Sequence, residues 1–264
     1  MNKFILFVTV LFTGLLTAQI SENRTVGDFS KLKASAGVDV FYTISDKISV
    51  TVETDDAEKI QFIKTEVVGE TLEVFVERTN TNLEKSKKKK NKRYRNWING
   101  IEFNILKVSV SGPNLTDIKA SSSAKIQLQN VNTCANLDIK VSSSGKITGT
   151  FETKNAVIEA SSSGDFTASI NATTIDVKAS SSGDVVLKGK AEKLIVKASS
   201  SGDCKLKNLE VEQATIEASS SAAVAITVTN SLEAKASSSA GVSFYGNPAN
   251  VSKEVSSSGS VTKK

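Results

Sequence analysis

The stretch VIEASSSGDFTA, residues 157–168, decides the fold, because its central motif returns along the chain at a nearly constant interval. The Ser-Ser-Ser triplet occurs eight times, with steps of 18 to 21 residues between copies. The triplets begin at Ser121, Ser142, Ser161, Ser180, Ser199, Ser219, Ser237 and Ser256. A fixed period close to 20 residues is typical of a solenoid, in which each repeat forms one coil stacked on the next.

Apolar residues hold fixed places relative to each triplet. The third residue after the triplet forms the column Ile126, Ile147, Phe166, Val185, Cys204, Val224, Val242 and Val261. Before the triplet, apolar and polar residues alternate, as in residues 137–141, LDIKV. Alternation with a period of two indicates a strand with one buried face. Each repeat is therefore predicted to form a strand, the Ser turn, a second strand and a second turn.

The predicted fold class is all-β: a parallel β-helix, or solenoid, with coils of about 19 residues. Equivalent strands pair in parallel, and the handedness rule for parallel crossovers favours right-handed coiling. Eight coils at about 4.8 Å each give a rod about 38 Å long. Serine suits the corner because its hydroxyl bonds nearby backbone groups. Glycine follows five of the triplets, where we expect it to allow a positive φ or a tight corner.

Residues 20–114 are predicted to form a less regular β region, followed by the Ser-turn solenoid over residues 115–264. Alternation predicts strands over residues 29–34, 38–44, 48–53, 71–77 and 102–110. Asp55 and Asp56 are expected to cap a short helix that reaches Ile63. The stretch Lys33–Val38 resembles the Ser-turn repeats with two serines removed, which marks it as a degenerate coil.

Residues 1–19 have the organisation of a secretory signal peptide. Lys3 supplies the positive start, residues 4–16 form an apolar run, and residues 17–19 are a cleavage zone, with the cut after Ala18 or Gln19. The apolar run is shorter than the ~20 residues of a membrane-spanning helix. We therefore expect an exported protein, in the periplasm, on the outer-membrane surface or outside the cell, with no integral membrane span after signal cleavage.

Composition argues against several kinds of catalysis. The chain has no histidine, which removes Ser-His-Asp and Cys-His nucleophiles and the commonest transition-metal ligand. Residues 122–125 match the S-x-x-K motif in letters only, because the repeat places them on a β-turn and the companion motifs are missing. We predict a non-enzymatic protein with no catalytic residues, and no cofactor unless calcium binds as considered below.

The two cysteines fall at different places in the repeat. Cys204 stands in the inward column, where it is expected to act as a small buried hydrophobe. Cys134 is placed in a connecting turn. The repeat separates the two by several coils, so no disulfide between them is expected.

Three carboxylates hold the same position in consecutive coils: Asp165, Asp184 and Asp203. Parallel stacking would bring them to a spacing of about 5 Å. Like charges this close need solvation or a bridging cation, so one interpretation is a Ca²⁺ site. The other interpretation, which we favour, is three solvated turn residues, because Ca²⁺ requires six to eight oxygens and no dedicated loop supplies them.

Positive charge is concentrated in one segment, the basic loop 84–96. Residues 85–95 contain eight basic and no acidic residues. The predicted ligand-binding residues are Lys87, Lys88, Lys89, Lys90, Lys92, Arg93, Tyr94, Arg95 and Trp97. Clustered lysines bind anionic polymers by counterion release, and the aromatic rings can stack on sugars or bases. Expected partners are acidic polysaccharide, lipopolysaccharide or extracellular DNA; the alternative is a solvated loop without a ligand.

Residues 108–118, VSVSGPNLTDI, and turns such as Ser163-Gly164-Asp165 resemble the head GIN domain family of putative auto-transporter adhesins. The stretch Phe29–Ile44 fits the same pattern, so the resemblance extends over most of residues 25–262. It implies an exported protein of the kind typical of Bacteroidota, with a role in adhesion. It brings no catalytic residues with it.

Three classes of function remain open. Export, long regular surfaces and the basic loop favour a non-enzymatic binding protein of the cell envelope or surface, in line with the adhesin resemblance. A polysaccharide-active enzyme is the first alternative, because parallel β-helices carry lyases and hydrolases. A purely structural envelope protein that self-associates through the ends of the solenoid is the second, because an exposed strand edge can pair with another chain.

Overall fold

The structure is a computed structural model and describes residues 20–78 and 97–264. Nearly all of the regular secondary structure in this part of the chain is β-strand, and coils about 19 residues apart stack in parallel. The predicted all-β solenoid is confirmed. The predicted signal peptide, residues 1–19, lies outside the described residues, and so does the basic loop 84–96.

The N-terminal part contains short strands and one helical turn. Their bounds are β1 Ile20–Arg24, β2 Lys31–Ala34, β3 Asp39–Ile44, β4 Ser49–Thr54, α1 Ala57–Ile60, β5 Ile63–Val68, β6 Thr71–Val76, β7 Trp97–Ile98, β8 Ile101–Glu102 and β9 Leu106–Gly112. Asp56 caps α1 by accepting a hydrogen bond from the Glu58 backbone N–H. The helix is shorter than predicted, because Ile63 is buried and already belongs to β5.

The Ser-turn part consists of long strands that end at each triplet. Their bounds are β10 Asp117–Ala120, β11 Lys125–Val141, β12 Lys146–Ala160, β13 Asp165–Ala179, β14 Asp184–Ala198, β15 Asp203–Ala218, β16 Ala223–Ala236, β17 Gly241–Tyr245, β18 Asn250–Val255 and β19 Ser260–Lys263. From β11 to β16, one strand runs the whole way from one Ser turn to the next. Cys134 therefore lies within β11. The connecting turn in which the sequence had placed it is wrong.

The predicted second turn is wrong for the repeats of β11 to β16, because the chain bends there without leaving the strand. The last coil does have one, at residues 246–249 between β17 and β18. In β13 the buried side chains stand at even positions up to Ile170 and at odd positions from Ile175. The bend thus shifts the inward face by one residue. Pairing with β12 continues on both sides of the bend, so the backbone groups remain bonded and no separate turn is needed.

Parallel register places equivalent residues of successive coils next to one another. Phe166 pairs with Val185, and Val185 pairs with Cys204, which reproduces the apolar column read from the sequence. One hydrophobic core extends from Phe29 to Phe244. Burial of apolar surface, at about 25 cal/mol per Å², is the main stabilising force. Each coil is buried by its neighbours, so none is expected to fold alone.

Every Ser triplet forms the same tight turn. In the turn 161–164, Ser162 and Ser163 have φ values of 49° and 59°, and the Gly164 N–H donates to the Ser161 carbonyl at 2.8 Å. Two positive φ values with this hydrogen bond define a type I′ turn. The turns also bond to one another, since the Ser163 N–H donates to the Ser181 carbonyl of the next coil at 3.1 Å.

The glycine after the triplet does not adopt the positive φ that was one of its two predicted roles. The second and third serines adopt the positive φ, and the glycine does not. Gly183 instead lies close to the preceding coil, where a Cβ atom would come within 2.4 Å of the Ala160 carbonyl oxygen. Glycine therefore serves close approach of two backbones, and the serines accept a conformation that costs an L-residue about 1 kcal/mol or more.

Parallel stacking also includes strands that lie N-terminal to the predicted boundary at residue 114. Strands β10 and β11 pair in parallel with β2 and β3, and the Gly37 N–H donates to the Ser122 carbonyl as in the other turns. The degenerate coil read from Lys33–Val38 is thereby confirmed. Strands β6 and β9 form one more parallel coil beyond it. The antiparallel strands β1, β4 and β5 then cover this end.

Candidate functional site

The structure places Asp165, Asp184 and Asp203 side by side at the starts of three successive strands. Two lysines contact these carboxylates. Lys146 Nζ lies 2.7 Å from Asp165 Oδ2. Lys205 Nζ lies 3.5 Å from Asp184 Oδ2 and 3.4 Å from Asp203 Oδ2. The ammonium groups of the chain itself therefore balance much of the negative charge of the column.

The pKa of Lys205 reflects its position between two carboxylates. Burial lowers the pKa of the ammonium, but the charges of Asp184 and Asp203 outweigh burial and raise it above its ordinary value. Over residues 20–78 and 97–264, no group of three or more His, Cys, Asp or Glu side chains is arranged to hold a metal. The calcium site stays a prediction, and a cation there would compete with Lys205.

Of the predicted ligand-binding residues, Trp97 is described, and those from Lys87 to Arg95 lie outside the described residues. Trp97 begins β7 and is 41% exposed. It pairs with Glu102 in the hairpin of β7 and β8. The Asn99 side chain donates to the Val76 carbonyl at 2.7 Å, which ties this hairpin to the end of β6.

The two strands that precede and follow the basic loop in the sequence, β6 and β9, have defined places in the fold. Strand β6 pairs with β2, and β9 pairs with β3, so β6 and β9 are the two sides of the outermost parallel coil. In the next coil, β2 and β3 are joined by the short turn that contains Ala36 and Gly37. The end of β6 at Val76 and the start of β9 at Leu106 therefore lie on the side where other coils have a tight turn.

A charged groove of about 380 Å³ crosses four coils beside the Ser turns. Its charged side chains alternate in sign from coil to coil: Lys197, Glu217, Lys235 and Glu254. The Nζ atom of Lys235 is 3.1 Å from Glu254 Oε2. Sequence reasoning missed this groove. The available signal was the second residue before each triplet, which is charged in every copy.

A wider groove of about 910 Å³ lies where β13, β14 and β15 bend. Lysine and glutamate side chains line it together with Asn171 and Asn208. Gly189, with a φ of +122°, forms part of its floor, because a Cβ atom there would meet the Ile170 carbonyl oxygen. Mixed charge and amides make this a polar surface without a strong preference for either sign.

Cys204 is buried in the inward column, as predicted from the repeat. Burial raises the pKa of its thiol to about 12, and the charges of Asp203 and Asp184 act in the same direction. A thiol that stays protonated at neutral pH is a poor nucleophile. Cys204 and Cys134 are both free cysteines. Cys204 therefore contributes to packing in the core, and its thiol is not activated.

The stacked coils and the buried columns define a β-solenoid whose charged side chains lie on its surface. The chain belongs to the head GIN domain family of putative auto-transporter adhesins, whose profile matches residues 28–248. The resemblance found in the sequence is thereby confirmed, and membership of an adhesin family indicates a surface or exported protein. Within the described ranges, no helix is long and apolar enough to cross a membrane.

Several solved structures share this fold. A putative adhesin from Parabacteroides distasonis has a TM-score of 0.81 at 19% identity, over 94% of this chain and 97% of that one. A putative adhesin from Parabacteroides merdae has a TM-score of 0.77 at 15% identity, over 93% and 96%. A putative lipid binding protein from Parabacteroides distasonis has a TM-score of 0.73 at 19% identity, also over 93% and 96%. A comparison with curated proteins found no match.

Proposed function

We propose that this protein is an exported, non-enzymatic surface protein that binds anionic polysaccharide through its basic loop. The observation that carries the proposal is the concentration of eight basic residues, with no acidic residue among them, in residues 85–95. In the sequence these residues lie between β6 and β9, which are the two sides of the outermost parallel coil. A run of cationic side chains of this density is what an anionic polymer would bind.

Electrostatics supports a polyanion as the partner. Clustered cationic side chains bind such a polymer largely by releasing its counterions, so affinity falls steeply with salt. Binding of this kind has little selectivity, which suits acidic polysaccharide and also the phosphates of lipopolysaccharide or extracellular DNA. Trp97, exposed beside the loop, supplies an aromatic face for a sugar ring.

The first two Ser-turn coils add further positive charge. Lys119 and Lys125 flank the first Ser turn, and their side chains are 41% and 60% exposed. Lys140 and Lys146 flank the second, each 44% exposed. All four have carboxylate partners, so they contribute less than free charges would. They nevertheless present four ammonium groups along the Ser corner of these two coils.

The experiment is salt elution of residues 20–264 from immobilised heparin, a sulfated polysaccharide. Replacing the eight basic residues of 85–95 with serine should lower the eluting salt concentration and reduce the salt dependence of binding. A matched control reorders residues 85–95 and keeps their charge, and it should be retained like the wild type. Unchanged retention of the serine variant would refute the proposal. Repeating the assay with immobilised DNA tells whether the loop prefers the polysaccharide.

A polysaccharide-active enzyme is the second candidate, favoured by the charged groove beside the Ser turns. Glu217 and Glu254 stand two coils apart on either side of Lys235. Two coils correspond to about 10 Å, near the spacing of the carboxyl pair in inverting glycosidases, about 6.5–9.5 Å. Product release from acidic glycans that is lost in Glu217→Gln and Glu254→Gln would support an enzyme. Its absence across a panel of such glycans leaves the binding protein.

A further inference from the structure

The last coil differs from the earlier ones at two inward positions. Lys253 of β18 pairs with Ala234, and Lys263 of β19 pairs with Phe244. The first of these columns is apolar in every preceding Ser-turn coil: Ile118, Ile139, Ile158, Val177, Val196, Ile216 and Ala234. The second contains Leu206, Ile226 and Phe244 in the coils just before. Both columns thus end in a lysine.

The two lysines lie across the end of the hydrophobic core. Lys253 Nζ is 4.9 Å from the centroid of the Phe244 ring and 3.4 Å from the Val261 carbonyl oxygen. Lys263 Nζ donates to Asn247 Oδ1 at 2.9 Å. Lysine covers apolar surface with its methylene chain while its ammonium group stays in water. The end of the core is therefore shielded by side chains that resist complete burial.

This end also presents backbone groups that could pair with another chain. Strand β18 pairs with β16 and β19 pairs with β17, and in the described part of the chain their outer edges have no partner. Val251 and Val255 are the last residues of two further inward-facing columns, and they are 40% and 50% exposed. An open edge over exposed valines is a template for strand addition, and an inward-pointing charge is a known way of preventing it.

The opposite end carries charge at equivalent places. In β1, Glu22 pairs with Val52 and Arg24 pairs with Val50, so both charged residues stand at inward positions of an outer strand. Arg24 Nε is 2.9 Å from Glu22 Oε1. Charged side chains therefore end two apolar columns at each end of the described solenoid.

We propose that Lys253 and Lys263 are gatekeepers that prevent a second copy of this chain from docking on the C-terminal coil. Tail-to-tail docking would bring two lysines from each copy over the same apolar surface. Ammonium groups buried without counter-ions are strongly unfavourable. The self-association through solenoid ends that the sequence left open is the behaviour these residues oppose. This inference does not depend on the function proposed for the basic loop.

The test is sedimentation velocity of residues 20–264 at protein concentrations from about 1 to 100 µM, where association is governed by mass action. The wild type should remain monomeric. The double variant Lys253→Ile with Lys263→Leu should associate at concentrations at least about tenfold lower than the wild type. If the double variant does not fold, Lys263→Leu alone, at the edge strand, should shift the equilibrium in the same direction.

A matched control separates position from charge. Lys178→Ile with Lys197→Leu removes the same two charges from outward-facing positions of interior coils, beside their partners Glu159 and Glu217. This control should remain monomeric. A Lys253/Lys263 variant that stays monomeric while folded, or a wild type that associates as readily as the variant, would overturn the proposal.

Discussion

The Asn132 side chain satisfies both backbone polar groups of Leu115. Its Nδ2 donates to the Leu115 carbonyl at 2.9 Å, and its Oδ1 accepts from the Leu115 N–H at 2.7 Å. Both residues are fully buried. Leu115 lies between β9 and β10, where it has no strand partner of its own. One amide therefore replaces a missing strand at the junction of the N-terminal coils with the Ser-turn coils.

We expect Asn132→Ala to lower the free energy of unfolding by about 2–4 kcal/mol, because it leaves a buried N–H and a buried carbonyl without partners. Urea unfolding followed by circular dichroism measures the change. Asn136→Ala in the same strand is the control. Asn136 is exposed and bonds the side chain of Asn155, so its loss should cost no more than about 0.5 kcal/mol. Equal effects of the two variants would contradict this account of Asn132.

The left-handed serines predict a second mutational contrast. Ser182 has a φ of 59°, a conformation that a β-branched side chain resists and asparagine tolerates. Ser182→Val should destabilise the protein by about 1–2 kcal/mol, whereas Ser182→Asn should change stability by less than about 0.5 kcal/mol. Thermal and urea unfolding of both variants make the comparison. A valine variant as stable as the asparagine variant would show that backbone conformation is not what selects the residue here.

The thiol of Cys204 predicts a pH dependence of stability. Burial raises its pKa from 9.0 to about 12, so the folded state keeps a proton that the unfolded chain releases. The resulting stabilisation is complete below pH 9 and is lost as the pH rises from 9 towards 12. Cys204→Val lacks this titration and matches its column neighbours Val185 and Val224. Between pH 7 and 11 the Tm of the wild type should fall more than that of the variant; parallel curves would contradict the prediction.

Calcium titration tests the Asp column. We expect Ca²⁺ up to about 10 mM to leave the Tm of the wild type unchanged, because Lys205 already bridges Asp184 and Asp203. A ligand at ten times its Kd would add about 1.4 kcal/mol of stability, which thermal unfolding detects easily. Lys205→Ser removes the bridge and gives the carboxylates their best opportunity to bind the ion. Stabilisation of the wild type by Ca²⁺ but not by Mg²⁺ would establish the site.

The period of the triplets was sufficient to predict the class of fold, because stacking requires equivalent residues at equal intervals. Residue preferences for turns and for positive φ failed as predictors where contacts with neighbouring coils determine the backbone conformation. Serine is a poor candidate for positive φ in isolation, yet Ser163 holds it because its N–H bonds the next turn. The bend after Ile170 needs no turn residues, because the ladder to β12 continues through it.

The candidate site was predictable only in part, for a related reason. Spacing alone places Asp184 beside Asp203. Lys205 bridges these two carboxylates because its long side chain points towards them. The repeat period does not predict the direction of a side chain. The role of Asn132 likewise depends on Leu115, seventeen residues away and in another coil. Lys253 was visible in the sequence as an exception in an apolar column, but its meaning required the register of β18.

Because a single strand joins one Ser turn to the next, each repeat is one structural unit of fixed height. Residues 161–179 span one full period. Their strand, β13, pairs with β12 on one side and with β14 on the other, in equivalent register. Removing or duplicating such a period would change the length of the rod by one strand spacing, about 4.8 Å. The distance between the two ends of the protein is thus set in discrete steps by the number of repeats, as on a ruler.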